Sequence, residues 1–354
     1  MNPANEKTDA QAQMFANRLQ KRLRQLKKWA RVCGNGVSSA AGAFRLYDRD
    51  IPEIPLVLDF YGDVSQIRDA ALCGAIYKRP YEKDEADEEI WLSAMKSAAA
   101  TALGIEPDRV FIKLRQRQKG LSQYEKTGRA GFEKIVSEYD LSYKVNLSEY
   151  LDTGLFLDRR LLRAMIRRQS QGKKVLNLFS YTGSFSVCAA AGGAASTDSV
   201  DLSNTYLSWA RENFSLNGLS AGLTAKSSHT GANRLIRADV IEFADKAVKE
   251  KRRWDIIIVD PPAFSNSKKM TGSFDLSRDL TELLLKCLSL LAPGGKIFLS
   301  VNKRRGAPAA EELESELSNN APSKINIRVT DLTDKITDED FKGKKIPKAF
   351  LIET

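Results

Sequence analysis

From about Tyr150 onward, short apolar runs alternate with amphipathic stretches. That alternation constrains the fold more than any other feature of the 354-residue chain. Such a pattern implies parallel strands joined by crossover helices. Val175–Phe179, Ala195–Val200, Leu235–Ala238, Ile256–Val259, Lys296–Val301 and Ala349–Ile352 read as strands. Ser184–Ala191, Thr205–Phe214, Ile241–Val248 and Arg278–Leu291 read as helices, the last stopped by Pro293-Gly294-Gly295. In an open sheet of this kind a ligand sits beyond the carboxyl ends of the strands, so the residues after each strand are the ones to examine.

Before Tyr150 the pattern is different. Phe15, Leu19, Leu23, Leu26 and Ala30 step by three or four, the stripe of an amphipathic helix. Gly34–Gly42 is a linker of small residues, after which short strand-like runs (Leu56–Phe60, Val110–Leu114), a helix near Glu88–Leu103 and a hairpin over Glu133–Val145 suggest a small α+β domain. The expected organisation is a basic helix and linker (1–42), a small α+β domain (43–149) and an α/β domain (150–354).

Hydrophobic residues make up 42% of the chain and charged residues 28%, which places it among ordered globular proteins. No apolar run approaches the roughly 20 residues of a membrane-spanning helix. The N-terminus lacks the basic-then-apolar pattern of a secretory signal, so a cytoplasmic protein is expected. Cys33, Cys73, Cys188 and Cys287 form no metal-binding or disulfide pattern, and His229 is the only histidine. Zinc sites, Ser-His-Asp triads and Cys-His dyads are therefore disfavoured, and no metal is expected.

The formal net charge of +10 is unevenly spread. Arg18, Lys21, Arg22, Arg24, Lys27, Lys28 and Arg31 lie in one stretch without an acidic residue. A second cluster contains Lys113, Arg115, Arg117, Lys119, Lys126 and Arg129, and a third Arg159, Arg160, Arg163, Arg167, Arg168, Lys173 and Lys174. Each alone reads as a solvated face; three together favour a polyphosphate partner.

The strand ends carry four signals in order. Ser180-Tyr181-Thr182-Gly183 places one glycine where the backbone can approach a ligand at a helix N-terminus, without the three glycines that cradle a pyrophosphate. Asp201 after the second strand suits the hydroxyls of a ribose, and Asp239 after the third suits an adenine amino group; either could instead cap a helix, as could Ser203. Asp260-Pro261-Pro262-Ala263-Phe264 is the most specific of the four. Two prolines remove two backbone donors and stiffen a loop that can hold a planar base against Phe264.

These residues resemble the S-adenosylmethionine-dependent methyltransferases with a Rossmann-like sheet. With Tyr150–Arg160 (YLDTGLFLDRR), Leu176–Gly183 (LNLFSYTG), Asp260–Lys268 (DPPAFSNSK), Met14–Leu19 (MFANRL) and Arg117–Gly120 (RQKG) included, the chain is similar to the bacterial 23S ribosomal RNA guanine-N7 methyltransferases. In many bacteria these form the C-terminal half of a fused protein whose N-terminal half methylates guanine N2. The resemblance implies a seven-stranded methyltransferase sheet behind an N-terminal helix and a small RNA-binding domain. It also implies S-adenosyl-L-methionine as cofactor, 23S ribosomal RNA or a large-subunit precursor as partner, and is compatible with a monomer. By position, Asn177, Phe179, Ser180, Tyr181, Thr182 and Gly183 would line the methionine part of the cofactor. Asp201 and Leu202 would hold the ribose, Asp239 and Val240 the adenine, and Thr153 and Phe156 would close over it. Asp260, Pro261, Pro262, Phe264 and Asn266 would face the target base, with Asp260 also bordering the cofactor. Arg18, Arg22, Lys28, Arg115, Arg117 and Lys119 would grip RNA. Two stretches are longer than the family pattern, Gly218–Asn233 and Cys33–Phe44.

Residue chemistry bears on the acceptor atom. Methylation of cytosine C5 needs a cysteine nucleophile, which in related enzymes follows the fifth strand. Here that position reads Leu299-Ser300-Val301-Asn302-Lys303, and Cys287 falls on the helix before it. Guanine N7 carries an in-plane lone pair and no proton, so its methylation needs positioning more than acid–base catalysis. An exocyclic amine of guanine or adenine is the alternative acceptor. An RNA-binding assembly factor without turnover is the alternative function.

Overall fold

The computed structural model describes residues 3–32, 41–77, 84–115, 131–224, 232–265, 274–302, 307–321 and 325–354. The chain forms two compact units, Met1–Leu157 with Glu339–Lys344, and Asp158–Asp338 with Lys345–Thr354. No helix among the described residues is long and apolar enough to cross a membrane.

The first unit opens with helix α1 (Pro3–Val32), followed by strands β1 (Ala43–Asp48), β2 (Leu56–Tyr61) and β3 (Ala71–Tyr77). Helix α2 (Glu85–Leu103) crosses over to β4 (Val110–Arg115), and β5 (Glu133–Glu138) pairs with β6 (Leu141–Asn146) as a hairpin. The sheet order is β1-β2-β3-β4, antiparallel except for β3 beside β4, as the helical crossover requires. The five apolar residues of the α1 stripe are all buried, in one core with Phe44, Leu58, Phe60, Trp91 and Met95. Burial at three- and four-residue steps is therefore what anchors α1, with Trp91 Nε1 donating to Gln11 Oε1 (2.6 Å). Asp84 caps α2 by accepting from the N–H groups of Ala86 and Asp87, and Gly104 ends it in the left-handed region. Asp340 lies in this unit, its carboxylate accepting from the Arg45 N–H (2.9 Å), while Lys344 pairs with Asp50.

The second unit runs α3 (Arg160–Gln169), β7 (Lys174–Leu178), α4 (Ser184–Ala191), β8 (Ser196–Asp201), α5 (Asn204–Leu216), β9 (Gly222–Thr224), β10 (Asn233–Arg237), α6 (Val240–Lys249) and β11 (Trp254–Val259). It continues with the short pair β12 (Phe264–Ser265) and β13 (Phe274–Asp275), then α7 (Leu276–Ser289), β14 (Leu291–Val301), α8 (Ala310–Asn320), β15 (Arg328–Asp331) and β16 (Lys348–Glu353). One sheet has the order β15-β16-β14-β11-β7-β8-β10-β9. It is parallel from β14 through β9, while β16 runs antiparallel to both β14 and β15.

The expected methyltransferase architecture is present, with eight strands where seven were expected. The extra strand, β9, comes from the long Gly218–Asn233 stretch, where Gly222–Thr224 pairs in parallel with Arg234–Ile236. β7 also ends one residue early, at Leu178, because Phe179 turns into the left-handed region (φ 57°).

One face of this sheet is covered by α6, α7 and α8, burying Leu176, Leu178, Ile257, Val259, Ile297 and Leu299. The other packs Val175, Ile256, Ile258 and Phe298 against Leu162, Ile166, Phe185 and Ala189 of α3 and α4. Fully buried Asp198 in β8 ties three elements together. It accepts from Arg234 Nε and Nη2 (2.5 and 2.6 Å), Arg252 Nη2 (3.0 Å) and Trp254 Nε1 (3.0 Å). Such a cluster tolerates burial because every oxygen of the carboxylate is satisfied.

Candidate active site

From β7 the chain winds outward through β8 and β10, then returns to lay β11 on the other side of β7 and continues outward through β14. The direction of winding reverses between β7 and β11, which makes their carboxyl ends the crevice of the sheet. Leu178 and Val259 are register partners, so the loops beginning at Phe179 and Asp260 leave the sheet side by side.

The first loop is tightly turned. Phe179, Tyr181 and Gly183 all have positive φ (57°, 49° and 74°). Gly183 is required by the chain itself, since a Cβ there would lie 2.8 Å from the Ala210 Cβ of α5. The Ser180 N–H donates to the Val200 carbonyl (3.0 Å), and Asn213 Nδ2 donates to the Thr182 carbonyl (2.9 Å). The Tyr181 ring meets Tyr206 edge-on, and Phe179 packs against Phe274. The Ser180 hydroxyl is buried with no hydrogen-bond partner among the described residues. Asn177 is buried below the loop, where its Nδ2 donates to Ser186 Oγ (2.9 Å), which in turn meets Ser199 Oγ (2.7 Å). Its Oδ1 has no partner among the described residues.

Asp201 joins the first two loops. Its carboxylate accepts from the N–H groups of Tyr181 and Ser203, each at 2.9 Å, while Ser203 caps α5. The side chain is therefore not the helix cap, and a carboxylate with about four acceptor sites keeps some capacity for a ligand hydroxyl. Burial pushes its acid up to about 6, against the opposing effect of the backbone donors at Ser203, Tyr181 and Leu202. Asp239 does cap its helix: one oxygen accepts from the N–H groups of Ile241 (2.8 Å) and Glu242 (3.1 Å). The other oxygen has no partner among the described residues. Leu202 is half-buried beside Asp201, whereas the Val240 side chain belongs to the hydrophobic core and can offer a ligand only its backbone.

At the end of β11, Arg159 Nη2 donates to Asp260 Oδ1 (3.2 Å). Pro261 is buried, Pro262 half-buried, and the Phe264 backbone pairs with Asp275. The Phe264 side chain and all of Asn266 lie outside the described residues. Thr153 and Phe156 belong to the first unit, where Thr153 Oγ1 meets the Tyr61 hydroxyl (3.0 Å) and Phe156 is 40% exposed. No described residue at the carboxyl edge of the sheet is a histidine or cysteine. Cys73, Cys188 and Cys287 are buried, and burial raises the Cys287 thiol to about 12. Among the described residues no group of three or more His, Cys, Asp and Glu side chains could hold a metal ion.

The basic clusters sort differently from their sequence appearance. Arg159, Arg160 and Arg163 of the third cluster are buried, so they cannot meet a phosphate backbone. Arg160 pairs with Asp338 (2.9 Å) and Arg159 with Asp158 and Asp260. On α1, Arg18 pairs with buried Asp50 (2.7 Å) and Arg22 donates to the Asp340 carbonyl (3.4 Å). Lys28 is exposed, and with Lys21, Arg24 and Arg31 it forms a cationic row at three- and four-residue steps. Arg115 ends β4 with its side chain outside the described residues, which also exclude Arg117, Lys119, Cys33 and His229.

Comparison with known proteins agrees with this geometry. A family model for S-adenosylmethionine-dependent methyltransferases matches residues 63–344. Ribosomal RNA large subunit methyltransferase K of Neisseria meningitidis is 42% identical over 338 residues, covering 96% of this chain and 86% of the relative. Ribosomal RNA large subunit methyltransferase K/L of a Shewanella strain is 41% identical over 332 residues, covering 94% of this chain. This chain spans only 42% of that longer relative. Among solved structures, the methyltransferase SMU.776 in complex with SAH superposes with a TM-score of 0.71 at 24% identity, covering 97% of this chain and 82% of that one. The residues present fit such a cofactor. A buried Ser180 hydroxyl without a partner among the described residues, the remaining acceptor capacity of the Asp201 carboxylate and the Asp239 oxygen not used in capping lie at the strand ends in order.

Proposed function

The chain belongs to the S-adenosylmethionine-dependent ribosomal RNA large subunit methyltransferase K/L family, and on that premise we propose that it methylates N7 of a guanine in 23S ribosomal RNA or its large-subunit precursor. The observation that carries this reading is the composition of the crevice: Asp260-Pro261-Pro262 beside the Ser180–Gly183 loop, with neither cysteine nor histidine at the described strand ends.

When bound, the cofactor supplies an electrophilic methyl group on a sulfonium. The protein's part is to orient and to exclude water. Asp201 accepts the ribose hydroxyls and Asp239 the adenine amino group, while Ser180–Gly183 receives the methionine end. Pro261 and Pro262 hold the loop that presents the acceptor base. N7 would take the methyl group through its own lone pair as the methyl–sulfur bond breaks and the neutral thioether leaves, so no residue would have to remove a proton. The purine gains positive charge as the bond forms, and the Asp260 carboxylate stabilises it. The absence of a cysteine argues against C5 chemistry. Nucleoside mass spectrometry of 23S ribosomal RNA treated with the protein and cofactor tests the reading. N7-methylguanosine is the expected product; N2-methylguanosine or N6-methyladenosine would move the assignment to an exocyclic amine.

The first unit is the RNA-holding part of this proposal, acting on a base flipped out of its stack. The row Lys21, Arg24, Lys28 and Arg31 is its exposed cationic face. Replacing these four by glutamine should reduce the slope of log affinity against log salt by about 0.7–0.9 for each phosphate no longer neutralised. Arg18 and Arg22, engaged with Asp50 and Asp340, should contribute less to that slope. An unchanged slope for the fourfold variant would remove α1 from the RNA interface.

A further inference from the structure

Aspartates at the ends of these loops are held in a common way, with one exception. Asp201 accepts from the N–H of Ser203, Asp239 from that of Ile241 and Asp275 from that of Ser277, each two residues ahead. Such a turn fixes the carboxylate by local backbone alone. Asp260 cannot use it, because the next two residues are Pro261 and Pro262 and neither has an N–H. The proline pair that stiffens the loop thus deprives its own aspartate of the usual anchor. The donor that the structure supplies in its place is a side chain, Arg159 Nη2 at 3.2 Å.

Arg159 is built for that task and poorly suited to packing alone. It is 3% exposed, on the last residue before α3, and has no helix-capping contact of its own. Nη1 lies 3.5 Å from Asp158 Oδ2, and the neighbouring Arg160 pairs with Asp338 (2.9 Å), which pins the start of the helix. Burial opposes the guanidinium's charge, and Asp260 and Asp158 more than restore it, leaving its acid above the ordinary range. Neither Nε nor Nη1 has a hydrogen-bond partner among the described residues. Burying an incompletely satisfied guanidinium is costly, and an apolar side chain of similar volume would serve packing as well or better.

We infer that Arg159 is the positioning residue of the acceptor site, its buried guanidinium fixing the Asp260 carboxylate and, through it, the Asp260-Pro261-Pro262 loop against the target base. The inference rests on the proposed methyl-transfer reading and assigns no proton transfer to Arg159. The test uses the full chain and five variants: R159Q, R159M, R159K, D260N and the double variant R159Q/D260N. Single-turnover methylation of RNA, cofactor affinity by calorimetry and thermal unfolding are measured on each. R159Q is expected to slow methyl transfer by about 10- to 100-fold, with cofactor Kd and RNA KM within about threefold of wild type. The double variant should be no slower than D260N, because both substitutions remove one interaction. R159K should recover part of the rate. A wild-type rate in folded R159Q or R159M, or losses that multiply in the double variant, would overturn the inference. Failure of both R159Q and R159M to fold would overturn it too, by assigning the guanidinium to folding. A wild-type product other than N7-methylguanosine would count against the proposed reading alone, since the comparison between Arg159 and Asp260 variants holds for whichever base is methylated.

Discussion

Asp260→Asn should slow methyl transfer by about 10²–10³-fold, the usual effect of removing one preorganised electrostatic stabiliser. The substitution preserves size and one acceptor oxygen, so Pro261 and the end of β11 keep their packing. What disappears, on the proposed reading, is the negative charge facing a purine that becomes cationic as its N7 is alkylated. Asp260 Oδ1 is engaged by Arg159, and no partner for Oδ2 is seen among the described residues, which leaves that oxygen for the base. The guanidinium cancels part of the carboxylate's field, so the effect should fall nearer 10² than 10³. Cofactor affinity should change little, because the proposed ribose and adenine contacts come from other strands. Single-turnover kinetics with saturating RNA, alongside calorimetric cofactor binding, separates the two effects. Full turnover in a variant that binds RNA and cofactor normally would leave Asp260 with a purely structural place at the strand end.

The parts of this site that could be read from the chain are those written in local pattern. The α1 stripe at Phe15, Leu19, Leu23, Leu26 and Ala30 is buried as its spacing predicts, because helix burial depends only on period. Ser184–Ala191 is a helix over the range expected, bounded by Gly183 and Gly192. Asp201, Asp239 and Asp260 stand at the ends of β8, β10 and β11, since an apolar run ending in a carboxylate is itself a local signal.

What was not legible depends on partners distant in sequence. Arg159, Arg160 and Arg163 read as a cationic face, yet they are buried, and Asp260 and Asp338, which neutralise two of them, lie far along the chain. The same holds for Asp198, whose partners Arg234, Arg252 and Trp254 lie on later elements. A run of charges does not reveal which of its members will be matched inside the fold. The eighth strand was missed for a related reason: Gly222–Thr224 is too short to show a period and is a strand only because β10 lies beside it. Asp239 admits two readings in sequence, helix cap and ligand acceptor; the structure shows the cap, which uses one oxygen and leaves the proposed acceptor role to the other.

Asp201 should make cofactor binding depend on pH. Its acid is raised to about 6 by burial, so the free protein holds a proton there more tightly than an exposed aspartate does. The proposed ribose hydroxyls, donating to the carboxylate, would favour its ionised form and lower the acid in the complex. Binding at about pH 6 must therefore release protons, and affinity must fall as pH drops through that value, by at most about tenfold per unit. The sign for stability follows from the same shift. Since the folded acid lies above the unfolded one, ionising Asp201 between about pH 4 and 6 costs the cofactor-free protein stability, and bound cofactor offsets that loss. The rise in melting temperature produced by S-adenosylmethionine should thus be larger at pH 7.5 than at pH 5. Calorimetry at pH 6 in buffers of different ionisation enthalpy counts the protons directly. Asp201→Ala should weaken the cofactor about 10²-fold or more through loss of two charge-assisted hydrogen bonds. Asp201→Asn, which cannot titrate, should abolish the proton release. Undiminished release in Asp201→Asn would place the titrating group elsewhere in the crevice and leave Asp201 as the tie between the Tyr181 and Ser203 backbones.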